Sequence, residues 1–224
     1  LPFTPTSDQI NALNDVKNDL LSCVAKRRVV MGDVGSGKTL IMLGASLMVY
    51  PQTAILMAPT SILAEQIYNE ALKLLPKFMK IMLVKSGDKE LDFKDINLII
   101  GTHALLFQPL PKANLIMVDE QHRFGSNQRQ KINNLTKDGK FKAHFLQFSA
   151  TPIPRTLSLI QSNIVEQSFL KQMPFKKDIK TIIINKDGFF DMIKHIKDEI
   201  NKGKQAIIVY PLVEESQSSN YQSL

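Results

Sequence analysis

Short apolar runs recur along the chain, with segments of helical spacing between them. The runs are "RVVM" from Arg28, "TAILMA" from Thr53, "KIMLV" from Lys80, "INLIIG" from Ile96, "LIMVD" from Leu115 and "AHFLQFS" from Ala143. Continuous apolar runs of this kind mark strands covered on both faces. The intervening segments predict helices. Thr6 or Ser7 caps one that runs to about Lys26, with Ile10, Leu13, Val16, Leu20 and Leu21 on one face. Others are predicted over 38–50, from about Ser61, over 127–135 and over 153–161. Runs alternating with helices predict an α/β fold, a parallel sheet flanked by helices on both faces.

The alternation weakens in "LKQMPFKKDIK", Leu170 to Lys180, where a proline and clustered lysines read as a linker. Beyond it come a predicted strand "TIIIN" over 181–185, a helix "DGFFDMIKHIKDEINKG" over 187–203 and a strand "QAIIVY" over 205–210. Gly203 suits the end of that helix. One such unit cannot cover both of its faces. The expected organisation is one domain over 1–170, a linker over 171–180 and an incomplete second α/β unit over 181–224. The start on Leu1 rather than Met likewise predicts a fragment.

Composition narrows the picture. With 44% hydrophobic and 22% charged residues the 224-residue chain is globular rather than disordered. Its net charge of +7 and pI near 9.4 favour a polyanionic partner such as nucleic acid. The longest apolar region, Thr39 to Pro59, is broken by Pro51 and Gln52 and lacks basic flanks. It therefore reads as helix, turn and strand rather than a membrane span. The opening "LPFTPTSD" has neither a basic start nor an apolar segment, so no signal peptide is expected. A lone cysteine, Cys23, excludes an intrachain disulfide and a cysteine-built metal site, and fits a reducing cytoplasm. His103, His122, His144 and His195 lack ligand spacing, which argues against structural zinc.

Chemistry enters at the strand exits. "GDVGSGKT" comprises Gly32, Asp33, Val34, Gly35, Ser36, Gly37, Lys38 and Thr39, and it matches the phosphate-binding pattern G-x-x-x-x-G-K-[ST]. It follows a predicted strand and opens a predicted helix. Its glycines let backbone N–H groups turn inward onto phosphates, and the helix adds its positive end. Lys38 can bridge the outer phosphates of ATP, and Thr39 can ligate Mg²⁺. "LIMVDEQHRFG" ends a buried strand in Asp119 and Glu120. Alone the pair would read as a polar turn. Beside a P-loop, Asp119 suits Mg²⁺, and Glu120 can orient and deprotonate an attacking water. Gln121 and His122 follow, and His122 is either a nucleotide-state sensor or a satisfied structural histidine.

Three further exits carry small polar groups. In "FSATPIPRT", Ser149 and Thr151 offer hydroxyls that could link His122 to a second lobe, although Thr151 before Pro152 is also a sound helix cap. In "APTSILAEQ" and "IIGTHALL", Pro59, Thr60, Gly101, Thr102 and His103 suit a phosphodiester backbone, and equally suit helix capping.

Together these motifs resemble superfamily 2 nucleic-acid motors, and within them the RecG-type DNA helicases. The resemblance spans essentially the whole chain. "LPFTPTSDQ", "GDVGSGKT", "APTSILAEQ", "IIGTHAL", "DEQHRFGSNQR", "SATPIPRT" and "VYPLVEES" stand in the family's order. The Mfd-type translocases are similar, but usually carry a second Glu at the position of Gln121 and a phenylalanine near Ser36. The resemblance implies a RecA-like ATP-binding lobe over 1–170 and the start of a second lobe over 181–224. It also implies adenine recognition by Gln9, DNA contacts that include Arg123, and inter-lobe coupling through Ser149, Thr151 and Arg155. The implied activity is ATP-driven remodelling of forked or branched DNA by a cytoplasmic, monomeric enzyme. Lys176 and Lys177 depart from the family, standing where a Gly-Arg pair is common. A P-loop nucleotide switch or kinase, and a silent nucleic-acid-binding module, are the competing classes. The family's late-motif arginine has no counterpart here, because the stretch from Thr156 to Leu224 contains no arginine.

Overall fold

The first predicted helix forms over Ser7–Leu20 (α1), opened by a capping box. Thr6 Oγ1 accepts from Gln9 N–H, and the Gln9 side chain accepts from Thr6 N–H. The structure is a computed structural model and describes residues 4–88, 91–135, 142–150, 165–174, 179–185 and 188–209. α1 ends short of Lys26, and its inner face is the expected one in part: Val16 is in the core and Leu13 and Leu20 pack against it. Gln9, Ala12, Val16 and Asp19 are buried, whereas Ile10 and Leu21 are 47% and 74% exposed. The apolar spacing finds only part of this face because two of its inward residues are polar and find buried partners.

The strands then follow as predicted: β1 (Arg27–Gly32), β2 (Ala54–Met57), β3 (Ile81–Val84), β4 (Leu98–Gly101), β5 (Leu115–Asp119) and β6 (His144–Ser149). Helices α2 (Lys38–Met48), α3 (Ser61–Leu74) and α4 (Ser126–Leu135) occupy the intervals foreseen for them. An additional strand, β7 (Glu166–Leu170), was not expected. It lies at the sheet edge against β1, with Ser168 and Leu170 inward and its other residues exposed. Only one face of β7 is covered, so "EQSFL" carries no continuous apolar run.

All pairings are parallel, in the order β3-β4-β2-β5-β6-β1-β7. Alternate residues of each central strand enter opposite cores. Ala54 and Leu56 join Ile41, Leu43, Ala64 and Ile67 beneath α1, α2 and α3. Ile55 and Met57 join Leu105, Phe124 and Ile132 on the other face, under α4 and a short 3-10 turn over His103–Phe107. The sheet is thus covered on both sides, and that coverage is why its strands read as unbroken apolar runs.

The chain divides into two compact units, Leu1–Lys176 and Lys177–Leu224. In the second, a helix forms over Phe189–Asn201 (α5) as predicted. The two strands expected around it do not form among the described residues. Residues 181–185 and 205–209 are unpaired, with Ile183 96% exposed. A β run becomes a strand only against a partner, and no described residue of this unit supplies one. The predicted helix over 153–161 lies outside the described residues, as do Thr151, Arg155 and most of "VYPLVEES". No helix among the described residues is long and apolar enough to cross a membrane.

Candidate functional site

Register places the two chemical motifs on one edge. Val30 of β1 is level with Phe148 of β6, and Phe148 with Asp119 of β5. At about 4.8 Å per strand, the exits of β1 and β5 stand roughly 10 Å apart at the carboxyl end of the sheet. There β1 gives way to the loop from Gly32 to Gly37. Gly35 and Gly37 adopt φ of 85° and 91°, which an L side chain resists, and a Cβ on Gly37 would collide with the Gln9 amide. Ser36 N–H closes the turn on Asp33 O at 3.1 Å. Lys38 Nζ donates to the carbonyls of Gly32 and Asp33, at 2.6 and 3.2 Å. Its ammonium thus stands over the loop, where phosphate oxygens can replace neutral carbonyls. Thr39, half-buried, is the next residue of α2.

Gln9 is 2% exposed, and its Nε2 donates to Ser36 O at 2.8 Å. The residue expected to read adenine is therefore also a prop of the P-loop.

Asp119 and Glu120 are adjacent but differently placed. Asp119 is 7% exposed, and its Oδ1 is buried without a hydrogen-bond partner. Burial and then the charge of Glu120 push its carboxyl up to about 6, opposed by Lys38, the Glu120 N–H and Arg123. Arg123, expected among the DNA contacts, thus also brings its charge to the acidic pair. The sequence carries no signal for that second placement beyond the shortness of the Gln121–Arg123 turn. Glu120 adopts a left-handed backbone at φ 47°, a costly state for a residue with a side chain. Its carboxylate accepts Ala150 N–H at 2.8 Å and Ser149 Oγ–H at 3.0 Å, and His122 Nδ1 lies 3.3 Å from it. Ser149 and His122 are therefore brought together through Glu120, while Gln121 is half-buried in the same turn.

The residues fit Mg·ATP. Asp119 Oδ1 is an unpaired hard oxygen, and Ser36 Oγ is a second buried atom without a partner. Among the described residues no cluster of three or more His, Cys, Asp or Glu could hold a metal alone. Mg²⁺ binds through one or two protein oxygens plus substrate phosphates, so this set suits it better than a full protein cage would.

The proposed DNA contacts line a neighbouring part of the same edge, where Met57 of β2 pairs with Gly101 of β4. Pro59 and Thr60 follow β2; Thr102 and His103 follow β4. Thr60 Oγ1 accepts from Leu63 N–H at 3.3 Å and Thr102 Oγ1 from Ala104 N–H at 3.4 Å, so both hydroxyls cap helical turns. Gly101 is required by packing: a Cβ there would come within 2.9 Å of Val84 O and of Leu105. Thr60, His103 and Arg123 remain exposed.

The chain is 45% identical to the ATP-dependent DNA helicase RecG of Helicobacter pylori, covering 100% of the chain and 37% of that protein. It is 36% identical to the RecG proteins of Thermotoga maritima and Bacillus subtilis, again over 100% of the chain and over 30% and 34% of theirs. The chain thus spans about a third of the length of these relatives. In fold it is similar to a DEAD box protein of Methanococcus jannaschii, with a TM-score of 0.59 at 20% identity over 85% of this chain and 56% of that one. The Hef helicase domain of Pyrococcus furiosus superposes with a TM-score of 0.57 at 16% identity, over 87% and 45%. The DEAD/DEAH box helicase family model matches residues 6–160, and the chain belongs to that family.

Proposed function

We propose that this chain is the ATP-binding lobe, with the start of the second lobe, of a RecG-type ATP-dependent DNA helicase that remodels forked or branched DNA. The observation that carries the reading is the unpartnered buried oxygen of Asp119, on the same sheet edge as the P-loop and beside a strained, fully held Glu120. A structural turn has no use for an unsatisfied buried carboxylate. The similarity to RecG proteins over the whole chain supports the substrate class.

On this reading Lys38 and the loop N–H groups hold the phosphates, and Thr39 and Asp119 hold Mg²⁺, which neutralises phosphate charge. Glu120 orients a water and accepts its proton. His122 and Gln121 respond to nucleotide state, and Ser149, Thr151 and Arg155 pass that state onward. Pro59, Thr60, Gly101, Thr102, His103 and Arg123 contact the DNA backbone. Such binding is independent of base sequence and weakens with salt by a log–log slope near −0.9 per neutralised phosphate. Gln9 reads adenine from the side of the loop it supports. The enzyme acts as a cytoplasmic monomer.

The test is nucleotide binding by this chain and ATP turnover by the complete enzyme. Mg·ATP raises the melting temperature of the chain. Lys38→Ala abolishes that rise by deleting the point charge on the phosphates. In the complete enzyme, forked DNA stimulates turnover. Turnover indifferent to DNA points instead to a nucleotide switch.

A further inference from the structure

The first turn of α1 grips two separate pieces of the molecule. Gln9 holds the P-loop through Ser36 O at 2.8 Å. One residue earlier, Asp8 Oδ2 accepts the backbone N–H groups of both Lys171 and Gln172, each at 2.8 Å. Ser7 Oγ is bonded to Gln172 Oε1 at 2.9 Å. Lys171 and Gln172 directly follow β7, whose last residue is level with the first glycine of the P-loop in the Gly32–Leu170 pairing. That contact is close enough that a Cβ on Gly32 would come within 2.8 Å of Leu170 Cβ.

These contacts close a triangle. β7 meets the P-loop strand at Gly32, Gln9 meets the loop itself at Ser36, and Asp8 meets the chain as it leaves β7. Asp8 and Gln9 are consecutive residues of one hydrogen-bonded helical turn, so a shift of one moves the other. Two successive N–H groups converging on one carboxylate oxygen make a directional, charge-assisted grip. No catalytic step uses Asp8, and β7 has other anchors in its ladder with β1 and in the Ser168–Asp15–Arg28 network.

We propose that Asp8 is a positioning residue that couples the state of the P-loop to the segment Lys171–Gln172, through which the chain leaves the first unit. The inference rests on the nucleotide-binding reading above. When phosphates order the loop, Ser36 and Gln9 are steadied, and the clamp of Asp8 on 171–172 is steadied with them. The start of the linker is thereby set by whether nucleotide is bound.

The test is hydrogen–deuterium exchange of the whole 224-residue chain, with and without Mg²⁺ and a non-hydrolysable ATP analogue. In the unaltered chain the nucleotide slows exchange at Lys171 and Gln172. Asp8→Ala speeds exchange there at least about tenfold, the factor expected for losing a charge-assisted hydrogen bond. It also abolishes the response to nucleotide while leaving the nucleotide-induced rise in melting temperature in place. Asp8→Asn keeps an acceptor oxygen and restores part of both effects, which separates the clamp from a general loss of folding. The proposal is overturned if the unaltered chain binds nucleotide with no change at 171–172, or if Asp8→Ala retains that change. Absence of any melting shift in the unaltered chain overturns the nucleotide-site reading, and the coupling with it.

Discussion

The two ends of the parallel sheet solve opposite problems. At the amino end, Arg28 is buried at the start of β1, and all three nitrogens of its guanidinium donate to partners. It makes a bidentate pair with Asp19 at 2.5 and 3.2 Å, and donates to Ser168 Oγ at 3.0 Å and Gln167 O at 3.1 Å. Asp15 closes the network by accepting from Ser168 at 2.7 Å. At the carboxyl end, Asp119 Oδ1 and Ser36 Oγ are buried without partners, and Glu120 is held in a left-handed backbone. Among the described residues, both of the unsatisfied buried side-chain atoms fall on this one edge. Buried charge alone therefore does not mark function in this molecule. Incomplete satisfaction on the edge that carries the P-loop does, because an unsatisfied buried group carries a cost that an ion, a ligand or a water must offset.

The widest separation of the two ends concerns arginine. Phosphoryl transfer draws on an arginine beside the γ-phosphate worth on the order of 10³–10⁵ in rate. Arg28 is locked at the amino end, and Arg27 lies there too, over the ring of Phe145. Arg123 stands at the carboxyl end, close enough to act on Asp119. The expected outcome is that this chain binds Mg·ATP with turnover near background and little stimulation by DNA. Substantial turnover abolished by Arg123→Ala or Arg155→Ala places the arginine within this chain.

Next in size is Glu120→Gln. In the complete enzyme it leaves Mg·ATP binding nearly intact and lowers turnover by about 10²–10⁴, the usual worth of a positioned base. Equal loss of binding and turnover, measured by titration and steady-state kinetics, removes Glu120 from that role.

Arg28→Ala sharpens the contrast from the other end. It strands Asp19 as a buried uncompensated charge and costs about 3–5 kcal/mol, a large part of the roughly 5–15 kcal/mol typical of a whole domain. Urea unfolding reads this loss. The affinity of the folded molecules for Mg·ATP stays unchanged, because the network is at the far end of the sheet. A fall in affinity matching that of Lys38→Ala would show that the two ends are not separable.

The same contrast explains what could be read in advance. The P-loop was legible because its turn demands glycines at fixed positions and its lysine follows them. Strands β1 to β6 were legible because both of their faces are covered. The inward face of α1 was legible only in part, at Leu13, Val16 and Leu20, since Gln9 and Asp19 are buried by specific partners that no apolar spacing reveals. β7 was missed because only one of its faces is covered, and the runs "TIIIN" and "QAIIVY" were over-read because strand pattern does not supply a strand partner. That Lys38, Asp119 and Glu120 stand at the same end of the sheet was legible from their places after parallel strands. That the charge of Arg123 acts on Asp119, and that Asp8 accepts from the chain as it leaves β7, depends on tertiary placement with no local signature.

The smallest expected effect probes the unsatisfied carboxylate itself. Asp119 has a folded pKa raised to about 6 from an ordinary 3.8, first by burial and then by Glu120. Below the unfolded value both states hold the proton, and the fold keeps its full stability. As pH rises towards 6 the unfolded chain ionises first, so stability falls, and above 6 the loss is complete. At about 1.4 kcal/mol per pH unit the loss is on the order of 2–3 kcal/mol. Asp119→Asn has nearly the same shape and does not ionise. Without metal or nucleotide, the variant is therefore more stable than the unaltered chain at pH 7–8 by up to that amount, and the two converge below pH 4. Mg·ATP reverses the order, because metal binds the ionised carboxylate. It stabilises the unaltered chain at neutral pH, less so below pH 6, and the variant less at every pH. Denaturation of both chains in a metal chelator across this range measures the difference. Equal stability at pH 7–8 would mean that Asp119 carries no burial cost in the absence of ligand, and would dissolve the contrast between the two ends of the sheet.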